Sequence, residues 1–312
     1  MTTPRPILLA REHDRGTLRR LHAAGTLERL RRGAYQAVRD DEAPAAVERR
    51  RALDRIRAVH QQLRAPHVFG HESAALVWGA PLWRVPARTH VWQAARASSR
   101  SAPDIARHRG LPSRWVELGA LPVTDLTRTV VDCLTTMPPL DGLVIADWAT
   151  GRGLQRSDAL ALLAERTKRN GRARARFVVD HADAGADSPW ETWLRYVVLR
   201  AGLPRPRTQY PVRTRIGQTY LDLAWPEHGV LAEFDGRVKY VDGALGMDHD
   251  AERTLFDEKV REDAIAEATG IRPLRFVARH ARDPDDVVRR LLSRFPREVR
   301  DAARTNPLLP PP

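Results

Sequence analysis

The sequence predicts an α/β protein made of several domains. Its 312 residues exceed the length of one typical domain, and a content of 42% hydrophobic and 29% charged residues is ordinary for a globular protein. Helical and strand-like apolar patterns alternate, and the last third of the chain reads in the order α-β-β-β-α-β. We therefore expect regions at 1–64, 65–180 and 181–300, followed by a proline-rich tail at 301–312.

The N-terminal region has the pattern of a helix followed by a basic hairpin. Apolar residues recur at helical spacing up to Gly25, and strand-like runs follow at 27–30 and 34–38. This outline is typical of a winged helix-turn-helix that binds DNA, and an arginine-rich solvated helical hairpin fits the pattern equally well. The arginines that would contact DNA phosphates are Arg19, Arg20, Arg29, Arg31 and Arg32.

The overall charge favours a polyanionic partner, nucleic acid first. The formal net charge is +13 and the isoelectric point is about 10.9. Nearly all positive charge is arginine, because lysine occurs only at Lys168, Lys239 and Lys259. With abundant alanine, this bias is typical of a GC-rich genome, in which arginine covers every solvated face. The charge supports nucleic-acid binding without proving it.

The middle region, residues 65–180, is predicted to mix helices and strands. Residues 89–93 alternate as in a strand, and Thr124 or Asp125 is placed to cap a helix. His71, Glu72 and Ser73 stand together at the start of another predicted helix. Because adjacent residues on a helix do not face one another, we expect capping and helix-start roles rather than a catalytic trio.

Several classes of protein are excluded by what the sequence lacks. Cys133 is the single cysteine, so a disulfide framework and a cysteine-based zinc cluster are not expected. No run of about 18 apolar residues occurs, and the N-terminal apolar run is too short for a secretory signal. We therefore expect a cytoplasmic protein without a membrane span. Phosphate-loop, zinc-protease and serine-hydrolase motifs are also missing.

A change of charge marks the boundary of the C-terminal domain. The basic stretch 162–177 gives way to the acidic, glycine-containing stretch 180–189. After it, Ser188 is placed to cap a helix that Gly202 ends. The tail at 301–312 should be disordered or extended. The further elements expected are strands at 209–213, 220–225, 230–234 and 271–277, and helices at 251–269 and 284–295.

Acidic residues interrupt the predicted hairpin where a buried strand would carry none. Asp222 lies in its first strand, and Glu233 and Asp235 end the second, two residues apart and so on one face. Carboxylates in apolar strands are costly to bury unless they are paired or bound to a metal. Converging carboxylates would form a hard oxygen site that suits Mg²⁺. Solvated strand ends, or pairing with the many arginines, remain the alternative.

Part of the chain resembles a family of regulators. The stretch LRRLHAAGTLERLRRGAYQAV (residues 18–38) resembles the N-terminal winged helix of the AbiEi-type antitoxins, the transcriptional-regulator half of type IV toxin–antitoxin systems. The similarity continues through 67–83, 89–92 and 121–134. The resemblance implies DNA as a partner, with a cognate toxin or a second copy of the chain as further candidates.

The C-terminal domain resembles the PD-(D/E)XK restriction-endonuclease-like fold. More narrowly, residues 188–295 look like the Vsr-like domain of uncharacterised function that is related to very-short-patch-repair endonucleases. The matching positions are Glu191, 221–223, 233–236, Lys239 with Tyr240, 258–263, Gly270 and 274–276. At one place the chain departs from the fold's pattern: the position two residues after Glu233, where a lysine is expected, holds Asp235.

This second resemblance implies metal-dependent hydrolysis of DNA phosphodiester bonds. Mg²⁺ or Mn²⁺ would be held by Asp222 and Glu233 with help from Asp235 or the Phe234 carbonyl. Glu191 would complete the site through water or orient a lysine or arginine. The displaced cation would be Lys239 or Lys259, with Arg261 beside the latter.

Three functions remain open at this point. The first is a magnesium-dependent DNA endonuclease, and the second is a DNA-binding regulator, or antitoxin-like protein, with a non-catalytic nuclease fold. The third is an interaction protein whose basic surface only reflects genome composition.

Overall fold

The computed structural model describes residues 5–39, 44–94, 102–166, 170–235 and 249–312. The chain divides into two compact units, Met1–Thr136 and Met137–Pro312. Each combines helices with β-sheet, so the predicted α/β class is confirmed. Within the described ranges, no helix has the length and apolar character needed to cross a lipid bilayer.

The first unit begins with a small sheet and one short helix. In chain order these are β1 (Leu8–Leu9), α1 (Arg15–Ala23), β2 (Leu27–Arg31) and β3 (Ala34–Ala37), and the strand order is β1-β3-β2. Asp14 caps α1 by accepting a hydrogen bond from the Thr17 N–H at 2.7 Å. Gly33, with φ of +76°, makes the tight turn between β2 and β3. The predicted helix and hairpin therefore lie where the sequence places them.

A second, larger sheet forms the rest of the first unit. Its elements are α2 (Pro44–Gln62), β4 (Val68–Phe69), α3 (His71–Trp78), β5 (Thr89–Gln93), β6 (Ile105–Arg109), β7 (Trp115–Leu118), β8 (Leu121–Thr124) and α4 (Leu126–Thr136). The strand order is β6-β5-β4-β8-β7. Ile56 of α2 is buried against Phe69 and Val91 of this sheet, while Ala58 packs against the small sheet. Asp125 caps α4 by accepting from the Arg128 N–H at 2.7 Å, as predicted.

The second unit packs helices around one mixed sheet. Its elements are α5 (Pro139–Thr150), α6 (Arg156–Ala164), α7 (Arg172–His181), α8 (Pro189–Ala201), β9 (Arg207–Thr214), β10 (Gly217–Trp225), β11 (Val230–Phe234), α9 (His249–Thr269), β12 (Leu274–Phe276), α10 (Pro284–Leu292) and α11 (Arg297–Ala302). The strand order is β12-β11-β10-β9, with β11 and β12 parallel and the other pairs antiparallel. From α8 to α10 the elements follow the predicted order.

Helix α8 has both of the ends that its sequence predicts. The Ser188 hydroxyl accepts a hydrogen bond from the Glu191 N–H at 3.2 Å, and Gly202 ends the helix with φ of +70°. The proline-rich segment packs against this helix: the Tyr196 hydroxyl donates to the Pro310 carbonyl at 2.8 Å, and Leu309 is buried. The chain beyond 301 thus contributes to the core of the second unit.

A buried ion pair ties α8 to α5. The Asp147 carboxylate accepts from the Arg195 guanidinium at 2.6 Å and from the Thr192 hydroxyl at 2.9 Å, and both ends of the ion pair are about 2% exposed or less. Asp147 also accepts from the Asp183 N–H at 2.9 Å. These bonds span the predicted boundary at 180/181, which lies inside the second unit, while the division between units falls at 136/137.

Removing one partner of this pair should destabilise the second unit strongly. Asp147→Ala leaves the Arg195 guanidinium buried without its counterion, which typically costs about 3–5 kcal/mol. The matched control is Arg156→Ala, which breaks an ion pair with Asp180 whose arginine is 63% exposed; we expect under about 1 kcal/mol. Urea unfolding followed by tryptophan fluorescence measures both. Equal losses in the two variants would contradict the structural role of Asp147.

Candidate functional site

The β10–β11 hairpin sets Asp222 and Glu233 side by side. The pairs Leu223 with Ala232 and Ala224 with Leu231 fix the antiparallel register, which continues to place Asp222 across from Glu233. Directly opposite residues on antiparallel strands share a face, with Cβ atoms roughly 5 Å apart. The Asp222 carboxylate also accepts a hydrogen bond from the Phe234 N–H at 2.6 Å. The sequence therefore folds the two predicted metal-ligating carboxylates onto one face.

Strand β12 extends this row by one residue. Its parallel register pairs Arg275 with Glu233. The Arg275 guanidinium lies 3.9 Å from the Glu233 carboxylate and 3.7 Å from that of Glu258 on α9. Two carboxylates and one guanidinium, those of Asp222, Glu233 and Arg275, therefore stand in a row across β10, β11 and β12.

Glu233 is the most buried acid of the site and is held by arginines. It is 5% exposed, and its carboxylate accepts from the Arg261 guanidinium at 2.7 Å. Arg261 also donates to the Thr219 hydroxyl at 2.9 Å and to the Tyr220 carbonyl at 2.7 Å, so its position is fixed by β10. Burial raises the pKa of Glu233, and Arg261 and Arg275 partly offset this rise.

Asp222 has the most perturbed carboxyl group of the row. Its pKa is raised to about 7, mainly by burial and in addition by the nearby charges of Glu191 and Glu233. The Phe234 N–H and Arg261 act in the opposite direction. Because these groups only partly compensate the charge, Asp222 is a candidate for binding a cation or a proton.

Glu191 approaches the row from the first turn of α8. Its carboxylate accepts from the Asp187 N–H at 2.9 Å and from the Gln209 side-chain amide at 3.3 Å. Gln209 has φ of +44°, a strained value for a residue with a side chain, and this conformation accompanies its contact with Glu191. Burial raises the pKa of Glu191. Its negative charge in turn raises the pKa of Asp222.

The row formed by Asp222, Glu233 and Arg275 lines a cavity of about 370 Å³, whose lining does not include Glu191. Asp235, whose N–H donates to the Phe276 carbonyl at 2.7 Å, contributes to it as well. The lining residues are Asp222, Glu233, Phe234, Asp235, Glu258, Arg261 and Arg275. The cavity thus combines carboxylate oxygens, which suit a divalent cation, with guanidinium groups, which suit a phosphate.

The predicted cationic residues divide into three cases. Arg261 lies in the cavity. Lys259 is exposed. Glu258 and Arg261 are three residues apart and share one face of α9, and Lys259 does not lie on that face. Lys239 lies outside the described residues. The sequence reasoning missed Arg275 as a site residue, although strands at 230–234 and 271–277 were both expected. The parallel register that places Arg275 opposite Glu233 is seen only in the structure.

The arginines predicted to bind DNA lie in the first unit. Arg31 is 9% exposed because it forms an ion pair with Asp104 at 2.8 Å, so it serves the fold of that unit. The other predicted contacts are exposed: Arg19, Arg20, Arg29 and Arg32.

Comparison with known proteins adds little to this picture. No family model matches the chain. The uncharacterized proteins MT2308 and Rv2248, from two strains of Mycobacterium tuberculosis, are each 36% identical over 81 residues. That match covers 26% of this chain and 30% of each relative, so the chain spans less than a third of their length. The crystal structure of the RV2827C protein from Mycobacterium tuberculosis is 16% identical over 56% of this chain and 71% of that chain, with a TM-score of 0.36.

The raised pKa of Asp222 predicts a measurable dependence of stability on pH. Its carboxyl holds a proton in the folded state, with a pKa of about 7, that the unfolded state releases near pH 4, so the free energy of unfolding falls as the pH rises between about 4 and about 7. Asp222→Asn keeps an acceptor for the Phe234 N–H and removes this decline. Between about pH 5 and about pH 8, the free energy of unfolding of the variant should rise by roughly 1–2 kcal/mol relative to that of the wild type. This is less than the full pKa shift corresponds to, because the cavity is open to water.

Urea unfolding at each pH with EDTA present measures this difference. The control is Asp285→Asn, which changes a side chain that is 78% exposed and should leave the curve parallel to that of the wild type. Parallel curves for Asp222→Asn and the wild type would refute the raised pKa.

Proposed function

We propose that the second unit is a metal-dependent endonuclease that hydrolyses phosphodiester bonds in DNA. The observation that carries this proposal is the placement of Asp222 opposite Glu233 in a cavity that also contains Arg261 and Arg275. Acidic pairs and arginines in one cavity supply ligands for a hard cation and contacts for a phosphate.

The donor set fits Mg²⁺ or Mn²⁺. Asp222 and Glu233 offer carboxylate oxygens on one face, and Asp235 adds another at the same cavity. The pKa of Asp222, raised to about 7 by burial, reflects a negative charge that a cation would stabilise. A bound Mg²⁺ would polarise the scissile phosphate and lower the pKa of an attacking water.

The arginines and Glu191 take the other roles. Arg261 is fixed by its bonds to β10, yet 37% of its side chain is exposed, so it can neutralise a phosphate that enters the cavity. Arg275 supplies a second positive charge from β12. Glu191 is held through Oε2 by the Asp187 N–H and Gln209, and we assign its other oxygen to orient water beside Asp222.

Removing the acidic pair should abolish cleavage. Asp222→Ala/Glu233→Ala should nick supercoiled plasmid at least about 100-fold more slowly than the wild type in Mg²⁺ or Mn²⁺, since loss of even an outer-shell partner of a metal costs 10–100-fold. Affinity for DNA in EDTA should change little, because these residues bind the metal. Plasmid nicking and mismatched-duplex cleavage assays measure the rate.

Glu267→Ala is the control for this experiment. Glu267 is also an acid of the second unit that pairs with an arginine, but it is 59% exposed. Its variant should nick at the wild-type rate. Nicking by the acidic-pair variant at the wild-type rate would assign the activity to a contaminant and refute the proposal.

A second candidate function is a DNA-binding regulator, of the antitoxin-like kind, that retains the nuclease fold without catalysis. The observation that favours it is the ion pair between Glu233 and Arg261 at 2.7 Å, which satisfies a prospective metal ligand within the protein. Asp235, at the position where the resembled fold expects a lysine, also favours it. In this case no divalent cation would support cleavage.

Both candidates predict DNA binding through the exposed arginines of the first unit. Replacing Arg19, Arg20, Arg29 and Arg32 by alanine should weaken binding to all sequences alike. The slope of log K against log salt should fall by about 1 for each of these side chains that binds a phosphate in the wild type. Fluorescence anisotropy with a labelled duplex at several salt concentrations measures this slope.

A variant of equal charge tests whether the location of these arginines matters. It replaces the exposed arginines Arg289, Arg294, Arg297 and Arg300 of the second unit by alanine. We expect a smaller decrease in affinity and in slope. Equal decreases in both variants would mean that binding follows net charge alone, as in the interaction-protein alternative.

A further inference from the structure

Three histidines that are distant in sequence meet in the first unit. His71 begins α3, His90 lies on β5 and His108 lies on β6. Strands β5 and β6 are parallel and pair Trp92 with His108, so His90, Trp92 and His108 share one face. One ring nitrogen from each histidine lies within 4.8 Å of the others.

The backbone is shaped to hold His71 at this position. His71 has φ of +53°, a left-handed value that is unfavourable for a residue with a side chain. The preceding Gly70 lies against the Trp92 indole, where a Cβ atom would clash. The His71 ring stacks on His108, with centroids 4.0 Å apart, and on Trp92, with centroids 5.7 Å apart. The unfavourable backbone conformation of His71 therefore occurs at a residue whose imidazole ring is held in place by stacking.

The nitrogen atoms converge more closely than aromatic packing requires. Nδ1 of His90 lies 3.1 Å from Nε2 of His108. Two ligands of one tetrahedral zinc ion, each about 2.0–2.1 Å from the metal, stand about 3.3 Å apart. Phenylalanine would pack in such a cluster without the cost of burying ring nitrogens. The distance between the two nitrogens is thus close to that of a chelating pair.

The surroundings keep the imidazoles neutral and oriented. Burial lowers the pKa of both His90 and His108 to about 4, so both rings are in the neutral form that binds metals at pH 7. The Glu72 carboxylate lies 3.5 Å from Nε2 of His90, the nitrogen that faces away from His108. A carboxylate behind a ligating histidine is the usual outer partner in zinc sites. The positive charges of Arg88 and Arg128 also lower the pKa of His108, and Arg128 forms an ion pair with Asp132 at 2.9 Å.

We propose that His71, His90 and His108 bind one Zn²⁺ ion, with Glu72 as the positioning residue that orients His90. Three imidazoles select zinc and related transition metals over Mg²⁺, and three protein ligands leave the fourth tetrahedral position for water or a substrate. All three proposed ligands and Glu72 belong to the first unit.

Zinc binding is measured on the full chain in the Asp222→Ala/Glu233→Ala background, which removes the acidic pair as a competing site. After chelator treatment and dialysis against Zn²⁺, we expect one zinc per chain by plasma mass spectrometry. Co²⁺ should give the visible absorption bands of a tetrahedral nitrogen site. His90→Gln/His108→Gln should weaken zinc binding by at least about 100-fold in a chelator competition, because it removes two ligands.

The control is His60→Gln/His67→Gln. It removes another histidine pair of the same unit, whose nitrogens are also 3.0 Å apart. This variant should keep the full zinc content. Zinc should raise the unfolding temperature of the background protein and of this control but not of His90→Gln/His108→Gln. If the background protein retains no zinc and shows no tetrahedral Co²⁺ bands, the proposal is wrong, whether or not any variant folds. Equal zinc losses in the two double variants would also overturn it.

Discussion

The second unit depends on how the charge of each buried carboxylate is compensated. A buried guanidinium, a hydroxyl and a backbone N–H all donate to Asp147, and burial nevertheless raises its pKa to about 6. Glu233 is compensated by Arg261, which reaches it from α9. Asp222 receives a backbone N–H and lies beside two other acids, and its pKa rises to about 7. Because burying an uncompensated charge is costly, the three donors around Asp147 fit a structural role, whereas Asp222, with one backbone N–H, one nearby arginine and two neighbouring acids, is better placed to bind a ligand.

Local sequence rules predicted the elements whose ends are set by neighbouring residues. Ser188 and Gly202 delimit α8 because a side-chain acceptor and a left-handed glycine satisfy the helix termini. The hairpin followed from two apolar runs around a turn, and it brought Asp222 and Glu233 together. The tail was harder to predict, because it is held by α8, about a hundred residues earlier, through the bond from the Tyr196 hydroxyl to the Pro310 carbonyl.

The residues that the sequence reasoning missed are brought in by long-range pairing. Arg275 reaches Glu233 through the parallel register of β11 and β12, which no local pattern fixes. The histidine cluster has the same origin. Reasoning about neighbours on a helix excluded a trio of His71 with the two residues after it, and it could not show that parallel strands carry His90 and His108 to the same place. The backbone conformation of His71 is equally invisible to periodicity, because a left-handed φ is uncommon for any residue other than glycine and no local pattern marks it here.

The ion pair between Glu233 and Arg261 does not by itself decide between catalysis and a non-catalytic fold. If a cation took the place of Arg261 at Glu233, Arg261 would keep its bonds to the Thr219 hydroxyl and the Tyr220 carbonyl. Arg275 would likewise keep the carboxylates of Glu258 and Glu262, at 3.7 and 3.8 Å. Releasing Glu233 therefore leaves neither guanidinium without acceptors, so the exchange costs less than breaking an isolated buried pair. The same exchange would remove the Glu233 carboxylate from both arginines and leave more of their positive charge to neutralise a phosphate, as the proposed nuclease requires.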